Sequence, residues 1–247
     1  MSLTIEMLYP EIANLHGDNF NITYLAQCRP DSRVVRTSLT DTPAFVTEPV
    51  DLVYLGPLTE KGQIAAIERL RPHRDRIEAL IDSGTHFLFT HNALEVLGQR
   101  IRNDEMGYDV AGLGLFDLES TLSMFGRYSG KVMGSLPGQA PPVVGYKSQF
   151  SMISTATSIA PFFTADRGIG RNRGTALEGV RRKNFIGTSL IGPILVNNPH
   201  FTRDLLARLD PNTEPVLAHE SFALAAYESR LEGFRDDRRW HAHERVT

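Results

Sequence analysis

The chain has 247 residues, enough for one large α/β domain or two small ones, and a hydrophobic fraction of 41% is sufficient for a full core. A formal net charge of -3 gives no general reason to expect nucleic acid or an anionic membrane as a partner. The single cysteine excludes an internal disulfide and makes a cytoplasmic location the simplest expectation. No window approaches the ~18 consecutive apolar residues that a membrane span needs.

The first half of the chain alternates strands with helices. Strands are predicted at 3–9, 33–38, 50–55 and 85–89, and helices at 20–28, 60–70 and 73–81, with a break at Pro72 between the last two. Gly84 is expected to end the last of these helices before the fourth strand begins. This alternation predicts a parallel sheet with right-handed crossovers, and hence an α/β fold.

The fourth strand runs into a predicted helix, Asn92–Arg102, through the two-residue turn Thr90-His91. In α/β proteins such a turn lifts one side chain above the edge of the sheet for chemistry. Here that residue is His91, or alternatively Thr90, and neither is an obvious nucleophile. The loop Gly56-Pro57-Leu58 after the third strand could present backbone N–H groups to an oxyanion, although its proline removes one donor.

Beyond Gly98 the predicted elements are short and are separated by glycine and proline. Segments 111–116, 131–134 and 142–146 are predicted to be hairpins or antiparallel additions to the sheet. A strand over 184–190 and a helix over 199–209 follow. The charged tail from about residue 228 is predicted to be a solvated helix. Its His241 and His243 could ligate a metal, but no third ligand is nearby. No repeat or long linker divides the chain, so residues 1–247 are predicted to form a single domain.

Two further features leave alternatives open. A basic cluster is either a solvated hairpin loop or a docking face for a phosphate-bearing ligand or an acidic partner surface. Its members are Arg167, Arg171, Arg173, Arg181, Arg182 and Lys183. Cys28, on the first helix and away from any strand end, is expected to be a partly buried apolar residue and not a reactive thiol. The eight histidines show no metal-ligand spacing, so no metal site is expected.

Several segments, in order along the chain, resemble the cobyric acid synthase-type class I glutamine amidotransferases. They are Leu8-Tyr9-Pro10-Glu11, Asn14-Leu15-His16-Gly17-Asp18, Ala111-Gly112-Leu113-Gly114-Leu115-Phe116-Asp117, Leu177-Glu178-Gly179-Val180-Arg181, Lys183-Asn184-Phe185-Ile186-Gly187-Thr188, Gly192-Pro193-Ile194-Leu195 and Asn198-Pro199. The closest branch is the glutaminase subunit of bacterial lipid II isoglutaminyl synthase. The resemblance implies a flavodoxin-like three-layer sandwich with a mostly parallel sheet and antiparallel additions.

The resemblance also implies an ancestral reaction. A cysteine thiolate attacks the side-chain amide of glutamine, a histidine moves the proton, and ammonia passes to a synthetase partner. In the lipid II branch that partner resembles a Mur ligase and amidates the D-glutamate of the peptidoglycan stem, so the resemblance implies a hetero-oligomer with a role in the cell wall. Glutaminase members of the family need no metal or organic cofactor.

The positions that carry this chemistry depart from the family pattern. The family elbow has Cys-Gly-Gly-Tyr-Gln-Leu-Leu-Gly, where this chain has His91-Asn92-Ala93-Leu94-Glu95-Val96-Leu97-Gly98. His91 therefore stands at the nucleophile position. Ile191 stands at the position of the family histidine, and Gln149 at that of a further histidine. An isoleucine side chain cannot carry a proton, and loss of a nucleophile or base in a comparable triad costs roughly 10⁶-fold in turnover.

These departures predict a degenerate subunit, a pseudoenzyme without glutaminase activity that serves a Mur ligase-like or other amidating synthetase. The pocket candidates are Gly56, Leu58, Thr90, Asn92, Glu95 and Gln149. One alternative is an enzyme with rebuilt chemistry, in which His91, Thr90, Glu95 or Gln149 does new work. Another is an active amidotransferase, which would require Cys28 to act as the nucleophile.

Overall fold

The computed structural model describes residues 2–137, 141–240 and 242–244. The strands are β1 (Thr4–Leu8), β2 (Arg33–Thr37), β3 (Leu52–Leu55), β4 (His86–Thr90), β5 (Arg100–Asn103), β6 (Tyr108–Ala111), β7 (Leu118–Leu122), β8 (Tyr128–Ser135), β9 (Val143–Gln149), β10 (Ser151–Thr155), β11 (Phe163–Arg167), β12 (Leu177–Glu178), β13 (Val180–Arg182), β14 (Phe185–Thr188) and β15 (Ala242–Glu244). The α-helices are α1 (Phe20–Cys28), α2 (Ala44–Thr47), α3 (Glu60–Leu70), α4 (Arg74–Ser83), α5 (Ile194–Asn197), α6 (Pro199–Leu209) and α7 (Glu220–Arg235). Short 3-10 helices cover Leu15–Gly17, Arg71–His73, His91–Leu97 and Asp237–Arg239.

A six-stranded sheet forms the centre of the fold, in the order β13-β14-β4-β3-β1-β2. All of its neighbouring strands are parallel except β13, which runs antiparallel to β14 at one edge. The order β2-β1-β3-β4-β14 is that of flavodoxin-like folds. The predicted fold class is therefore confirmed, as is the alternation of strands and helices in the first half of the chain.

Alternating side chains of the central strands supply two separate hydrophobic layers, as the two-residue period of a strand requires. In β3, Val53 and Leu55 pack with α3, α4 and the 3-10 helix His91–Leu97. Leu52 and Tyr54 point to the other face, where they pack with α1, α5 and α6. The centre of the sheet is thus buried on both faces, which explains why β3 and β4 are nearly continuous apolar runs.

The antiparallel additions form two smaller sheets. One has the order β10-β7-β5-β6, and the other contains β12-β11-β8-β15 with β9 paired to β8. The predicted strands at 131–134 and 142–146 lie within β8 and β9, so both are confirmed. Gly84 also ends α4 as predicted, because its φ of 98° is a left-handed conformation that glycine adopts without strain.

The prediction of a helix over Asn92–Arg102 is wrong beyond Leu97. The chain forms a 3-10 helix as far as Leu97 and then becomes strand β5, which pairs with β6 and β7. Residues 100–103 alternate between exposed and buried side chains. This two-residue period, in the sequence Arg-Ile-Arg-Asn, is the strand signal that the helical spacing of Leu94, Leu97 and Ile101 concealed.

The predicted strand at 111–116 is largely wrong as well. Only Ala111 belongs to β6, and the following residues form a loop whose N–H groups donate to the carbonyls of Val96, Leu97 and Gly98. Gly112 allows this close approach, since a Cβ at that position would lie 2.2 Å from the carbonyl oxygen of Gly98. Gly112 therefore serves packing against the end of the 3-10 helix, whereas Gly114 provides a left-handed turn, with a φ of 66°.

The C-terminal part differs from the predicted solvated helix from about residue 228. Helix α7 begins at Glu220, ends at Arg235 and buries Tyr227, Leu231 and Phe234 against β8 and β9. The chain then returns as β15, antiparallel to β8, and His241 lies outside the described residues. Hydrophobic contact with the β8–β9 pair holds this helix, despite its charged sequence. That residues 1–247 form a single domain stays a prediction.

Candidate functional site

The loops that follow β1, β3, β4 and β14 meet at the carboxyl edge of the central sheet, where open α/β sheets place their binding sites. The centre of this region is the elbow, defined as Thr90, His91 and Asn92, where β4 turns into the 3-10 helix. The end of β9 covers the elbow from the side of the antiparallel additions. The predicted site residues therefore lie around one small region, although their roles stay predictions.

His91 occupies a strained backbone conformation, with a φ of 56°. Sharp turns of this kind expose a nucleophile in elbow-type enzymes. Here the imidazole Nε2 lies 3.0 Å from the carbonyl oxygen of Ser148. Burial lowers the pKa of His91, so the ring is neutral near pH 7. A carbonyl only accepts, so Nε2 carries the proton and the lone pair is left on the buried Nδ1. The backbone forms the sharp turn of an elbow, but the His91 side chain at its tip is hydrogen-bonded to the Ser148 carbonyl.

Asn92 closes the loop that could have bound an oxyanion. Its Oδ1 accepts from the backbone N–H of Leu58 at 2.9 Å, and its Nδ2 donates to the Leu58 carbonyl at 2.8 Å. A glycine at this position would leave both backbone groups free. One of the N–H groups predicted to serve an oxyanion, that of Leu58, is therefore occupied by a side chain of the elbow itself.

Gly56 is explained by packing. A Cβ there would lie 2.3 Å from the carbonyl oxygen of Ala13, in the loop after β1. Any larger residue would push the two loops apart. Its role as a pocket residue stays a prediction, since this close approach is reason enough for a glycine.

Glu95 lies in the 3-10 helix beneath the elbow and is almost fully buried. Its carboxylate accepts from the Ser151 hydroxyl and from Gln63 Nε2 at 3.3 Å, and the same Gln63 amide donates to the Asn92 carbonyl at 2.7 Å. Burial raises the pKa of Glu95 to about 7, an effect that the hydrogen bonds from Ser151 and Gln63 oppose. Gln63 and Ser151 were missed from the sequence, because nothing in their local pattern marks them as neighbours of Glu95.

The cavity beside these residues is very small, and we call it the elbow cavity. It is lined by Gln63, His91, Asn92, Glu95 and Ser151, among others, and has a volume of about 30 Å³. That is the share of liquid volume of one water molecule, whereas cavities that bind small organic ligands have roughly 300–1,000 Å³. A free amino acid does not fit into the elbow cavity in this conformation.

Strand β9 connects the remaining predicted positions to the elbow. Ile191 pairs with Tyr146 of β9, donating its N–H to the Tyr146 carbonyl at 2.8 Å, and Ser148 of the same strand accepts from His91. Gln149 is buried, and its Nε2 donates to the Ser151 carbonyl at 2.7 Å. Strand β9 thus brings Gln149 and Ile191 near the elbow, but neither of these two side chains can act as a nucleophile or a base.

A buried polar network beneath Thr90 was missed as a unit. The Tyr54 hydroxyl lies 3.2 Å from Thr90 Oγ1 and donates to the Asp18 carbonyl at 2.9 Å. The Asp18 carboxylate accepts from the N–H of Gly192 at 3.1 Å, and burial raises the pKa of Asp18 to about 7. This network links the loops after β1, β3, β4 and β14. Asp18 is the last residue of the Asn14–Asp18 segment, which is one of the motifs that resemble the family. That position was the one signal in the sequence that could have pointed to this network.

A second buried network lies behind Ile191. Lys147 Nζ is 3.3 Å from Glu178 Oε1, and both side chains are fully buried. Glu178 also accepts from the Ser189 N–H at 2.8 Å and from the Thr188 hydroxyl at 3.1 Å. Burial lowers the pKa of Lys147, while Glu178 acts against that shift. These bonds hold the end of β14, next to the position of the family histidine.

The basic cluster is mostly used inside the molecule. Arg167 donates to the carbonyls of Phe234 and Arg235 at the end of α7 and lies over the Trp240 ring, 4.2 Å from its centroid. Arg171 is buried and donates to the Gly179 carbonyl at 2.7 Å. Arg182 pairs with Asp82 at 2.7 Å. These contacts argue against the docking face and assign the arginines to holding elements together.

Cys28 lies on α1, in the hydrophobic layer on the opposite face of the sheet from the 3-10 helix. Its Sγ accepts from the Ala218 N–H at 3.2 Å, and burial raises the pKa of the thiol. Among the described residues, no group of three or more histidine, cysteine or acidic side chains is placed to hold a metal ion. Nor does any described helix combine the length and apolarity needed to cross a membrane.

Residues 4–199 match the model of the CobB/CobQ-like glutamine amidotransferase domain. The chain belongs to this family. The CobB/CobQ-like chain is also similar, at 25% identity over 209 residues, to the subunit GatD of the glutamine-hydrolyzing lipid II isoglutaminyl synthase of Staphylococcus aureus. That similarity covers 83% of this chain and 84% of the relative. The predicted resemblance is confirmed by both findings.

Solved structures agree with the fold of this CobB/CobQ-like chain. PurLQS from Thermotoga maritima superposes with a TM-score of 0.55 at 10% identity, covering 94% of this chain and all of the other. A glutamine amidotransferase from the same organism gives 0.53 at 9% identity, with 93% of each chain covered. At such low identity the likeness concerns the fold alone, and that fold is the one of class I amidotransferases.

Proposed function

We propose that this chain is a cytoplasmic glutamine amidotransferase-like subunit that does not hydrolyse glutamine and that acts as the structural or regulatory partner of an amidating synthetase. The relative GatD is a subunit of a lipid II isoglutaminyl synthase, which makes a Mur ligase-like synthetase of cell-wall synthesis the first candidate for the partner. The subunit would use no metal or organic cofactor.

The observation that carries this proposal is the state of the elbow. At the nucleophile position His91 is bonded to Ser148, the next residue Asn92 occupies the Leu58 N–H, and about 30 Å³ of space remains. Amide hydrolysis through an acyl-enzyme needs an activated nucleophile, a proton carrier and oxyanion donors. Here the nucleophile position is His91 and the proton-carrier position is Ile191. The Leu58 N–H, one candidate oxyanion donor, is already bonded to Asn92.

The framework around the elbow is nevertheless intact. The strained turn, the buried networks of Asp18 and Glu178 and the loop contacts at the sheet edge are all formed. A surface of defined shape is what a partner subunit recognises. Retention of this framework without its chemistry supports a role in assembly or regulation.

The test is purification of the tagged chain from its native cell, followed by assay of the co-purified synthetase with ammonium chloride or glutamine as nitrogen source. Ammonium-dependent amidation should fall when this chain is removed and return when it is added back. Add-back of His91→Ala should restore it equally, because the elbow side chain does no chemistry. A synthetase that is equally stable and active without the chain would contradict the proposed role.

Rebuilt chemistry at the elbow is the second candidate, and one observation favours it. The neutral His91 and the Glu95 carboxyl, with a pKa of about 7, both line the elbow cavity. A carboxyl that titrates near neutral pH, beside a neutral imidazole whose pKa burial lowers, is suited to proton transfer. The cavity admits only a guest of the size of water, which restricts such chemistry severely. A native activity that His91→Ala abolishes would establish this alternative.

A further inference from the structure

A larger cavity lies next to the elbow cavity, between α3 and the β5–β6 hairpin. We call it the α3–β6 cavity. Its volume is about 410 Å³, compared with about 30 Å³ for the elbow cavity, and Glu60 and Leu122 line both. Cavities that bind small organic ligands have roughly 300–1,000 Å³. The α3–β6 cavity is therefore large enough for such a ligand, whereas its neighbour is not.

Most of the lining surface of the α3–β6 cavity is apolar, although Glu60, Lys61 and Asn103 also border it. Ile64, Leu122 and the ring of Tyr108 form part of the lining, together with Met106 and Met124. Met106 is 71% exposed, so its side chain is free to rearrange around a guest. Methionine is flexible and its polarizable sulfur makes favourable contacts with aromatic rings. Two methionines in one small cavity thus favour an aromatic guest over an aliphatic one.

One polar group beside this cavity, the Tyr108 hydroxyl, lacks a hydrogen-bond partner among the described residues. This hydroxyl is also shielded from solvent. Burial raises the pKa of Tyr108, with the charges of Glu95 and Glu60 acting in the same direction, so the hydroxyl keeps its proton. A buried hydroxyl without a partner is costly, and an acceptor atom on a guest would relieve that cost.

We propose that the α3–β6 cavity binds a small, uncharged aromatic molecule that carries a hydrogen-bond acceptor. The ring lies among Leu122, Met106 and Met124, and the acceptor takes the hydrogen of the Tyr108 hydroxyl once the side chains that shield this group have moved. The site is distinct from the elbow, and it stands whether or not the chain hydrolyses glutamine. Because Leu122 and Glu60 form a common wall, the guest lies directly against the elbow cavity.

The experiment is a titration of the full chain, carrying ¹³C-labelled methionine methyl groups, with benzamide as the probe. The chain has six methionines, which methionine-to-leucine substitutions assign one by one. Ring-current shifts should appear at Met106 and Met124, while the buried Met7 stays unchanged. Cyclohexanecarboxamide, which has the acceptor without the ring, should bind more weakly.

Two variants make the result decisive. Ile64→Trp fills the cavity and should abolish the shifts, and Tyr108→Phe should weaken benzamide about fivefold while leaving toluene, which has no acceptor, unaffected. Absence of shifts at Met106 and Met124, or identical shifts in Ile64→Trp, would overturn the proposal. It would also be overturned if benzamide failed to bind while Met106→Ala and Ile64→Trp disrupted a complex with a protein partner. Such a result would assign the cavity to a side chain of that partner.

Discussion

At the scale of single residues, the carboxyl of Glu95 makes the stability of the protein depend on pH. Its pKa rises from an ordinary value of 4.5 to about 7 in the folded state, so the folded protein binds this proton more tightly than the unfolded chain does. The stabilisation is complete below about pH 4 and is lost as the pH rises towards 7. Asp18, with a pKa of about 7, acts in the same direction.

Glu95→Gln should remove this dependence. An amide can accept from Gln63 and donate to Ser151, so the variant should be more stable than the wild type at pH 8, by up to about 3 kcal/mol. The two proteins should differ least near pH 4. Urea unfolding at several pH values measures this, with Glu119→Gln on the exposed side of β7 as the control. Parallel pH profiles for the wild type and Glu95→Gln would show that Glu95 has an ordinary pKa in the folded protein.

Asn92 offers a second prediction at this scale. Asn92→Ala removes both bonds to Leu58 and leaves a buried N–H and carbonyl without partners, which should lower the free energy of unfolding by about 1–3 kcal/mol. The exposed Asn212→Ala serves as the control and should change it by less than about 0.5 kcal/mol. Equal stability of the two variants would mean that the loop after β3 does not depend on Asn92.

The sequence located the elbow and its substituted residues because a strand, a turn and a helical segment are local patterns. It could not show what those residues bind. Asn92 bonds to Leu58, 34 residues away, and Glu95 bonds to Ser151, 56 residues away. Such pairings depend on how distant loops come together, so the closure of the elbow became visible only in the folded structure.

At the scale of elements, the buried pair of Lys147 and Glu178 joins β9 to β12 and to the end of β14. Lys147→Met should lower the free energy of unfolding by about 3–5 kcal/mol, because it leaves the Glu178 carboxylate buried without its cation. The double variant with Glu178→Gln should lose less than Lys147→Met alone, since no buried charge then remains. A double-mutant cycle measured by urea unfolding tests this.

The matched control is the exposed pair of Arg33 and Glu48, whose side chains are 50% and 40% accessible. Arg33→Met should lower the free energy of unfolding by less than about 1 kcal/mol, because water screens exposed ion pairs. If Lys147→Met were as mild as Arg33→Met, the buried pair would contribute little to joining these strands.

Prediction of the elements succeeded where one strong period dominates. The inner strands β3 and β4 are nearly continuous apolar runs, and the helices between the strands have regular apolar spacing. It failed at Arg100–Asn103, where four residues of a strand followed a helical pattern, and at α7, whose buried residues depend on contact with β8 and β9. The structure of such elements depends on contacts with neighbouring strands, so their own sequence pattern is too weak to predict them.

At the scale of the whole molecule, the chain is an amidotransferase fold whose elbow is closed by its own side chains. If the fold serves as a platform for another protein, as we propose, glutamine hydrolysis is the activity that should be missing. Cys28 is the one cysteine of the chain, and it lies in the layer on the far side of the sheet. No rearrangement of the elbow loops alone would bring it to the site.

The most direct measurement is therefore the release of glutamate from L-glutamine by the isolated chain and by its complex with the co-purified synthetase. We expect no release above the rate without protein, and no difference between the wild type, His91→Ala and Cys28→Ser. Hydrolysis by the wild type that either substitution abolishes would contradict the central claim and restore this chain to the active amidotransferases.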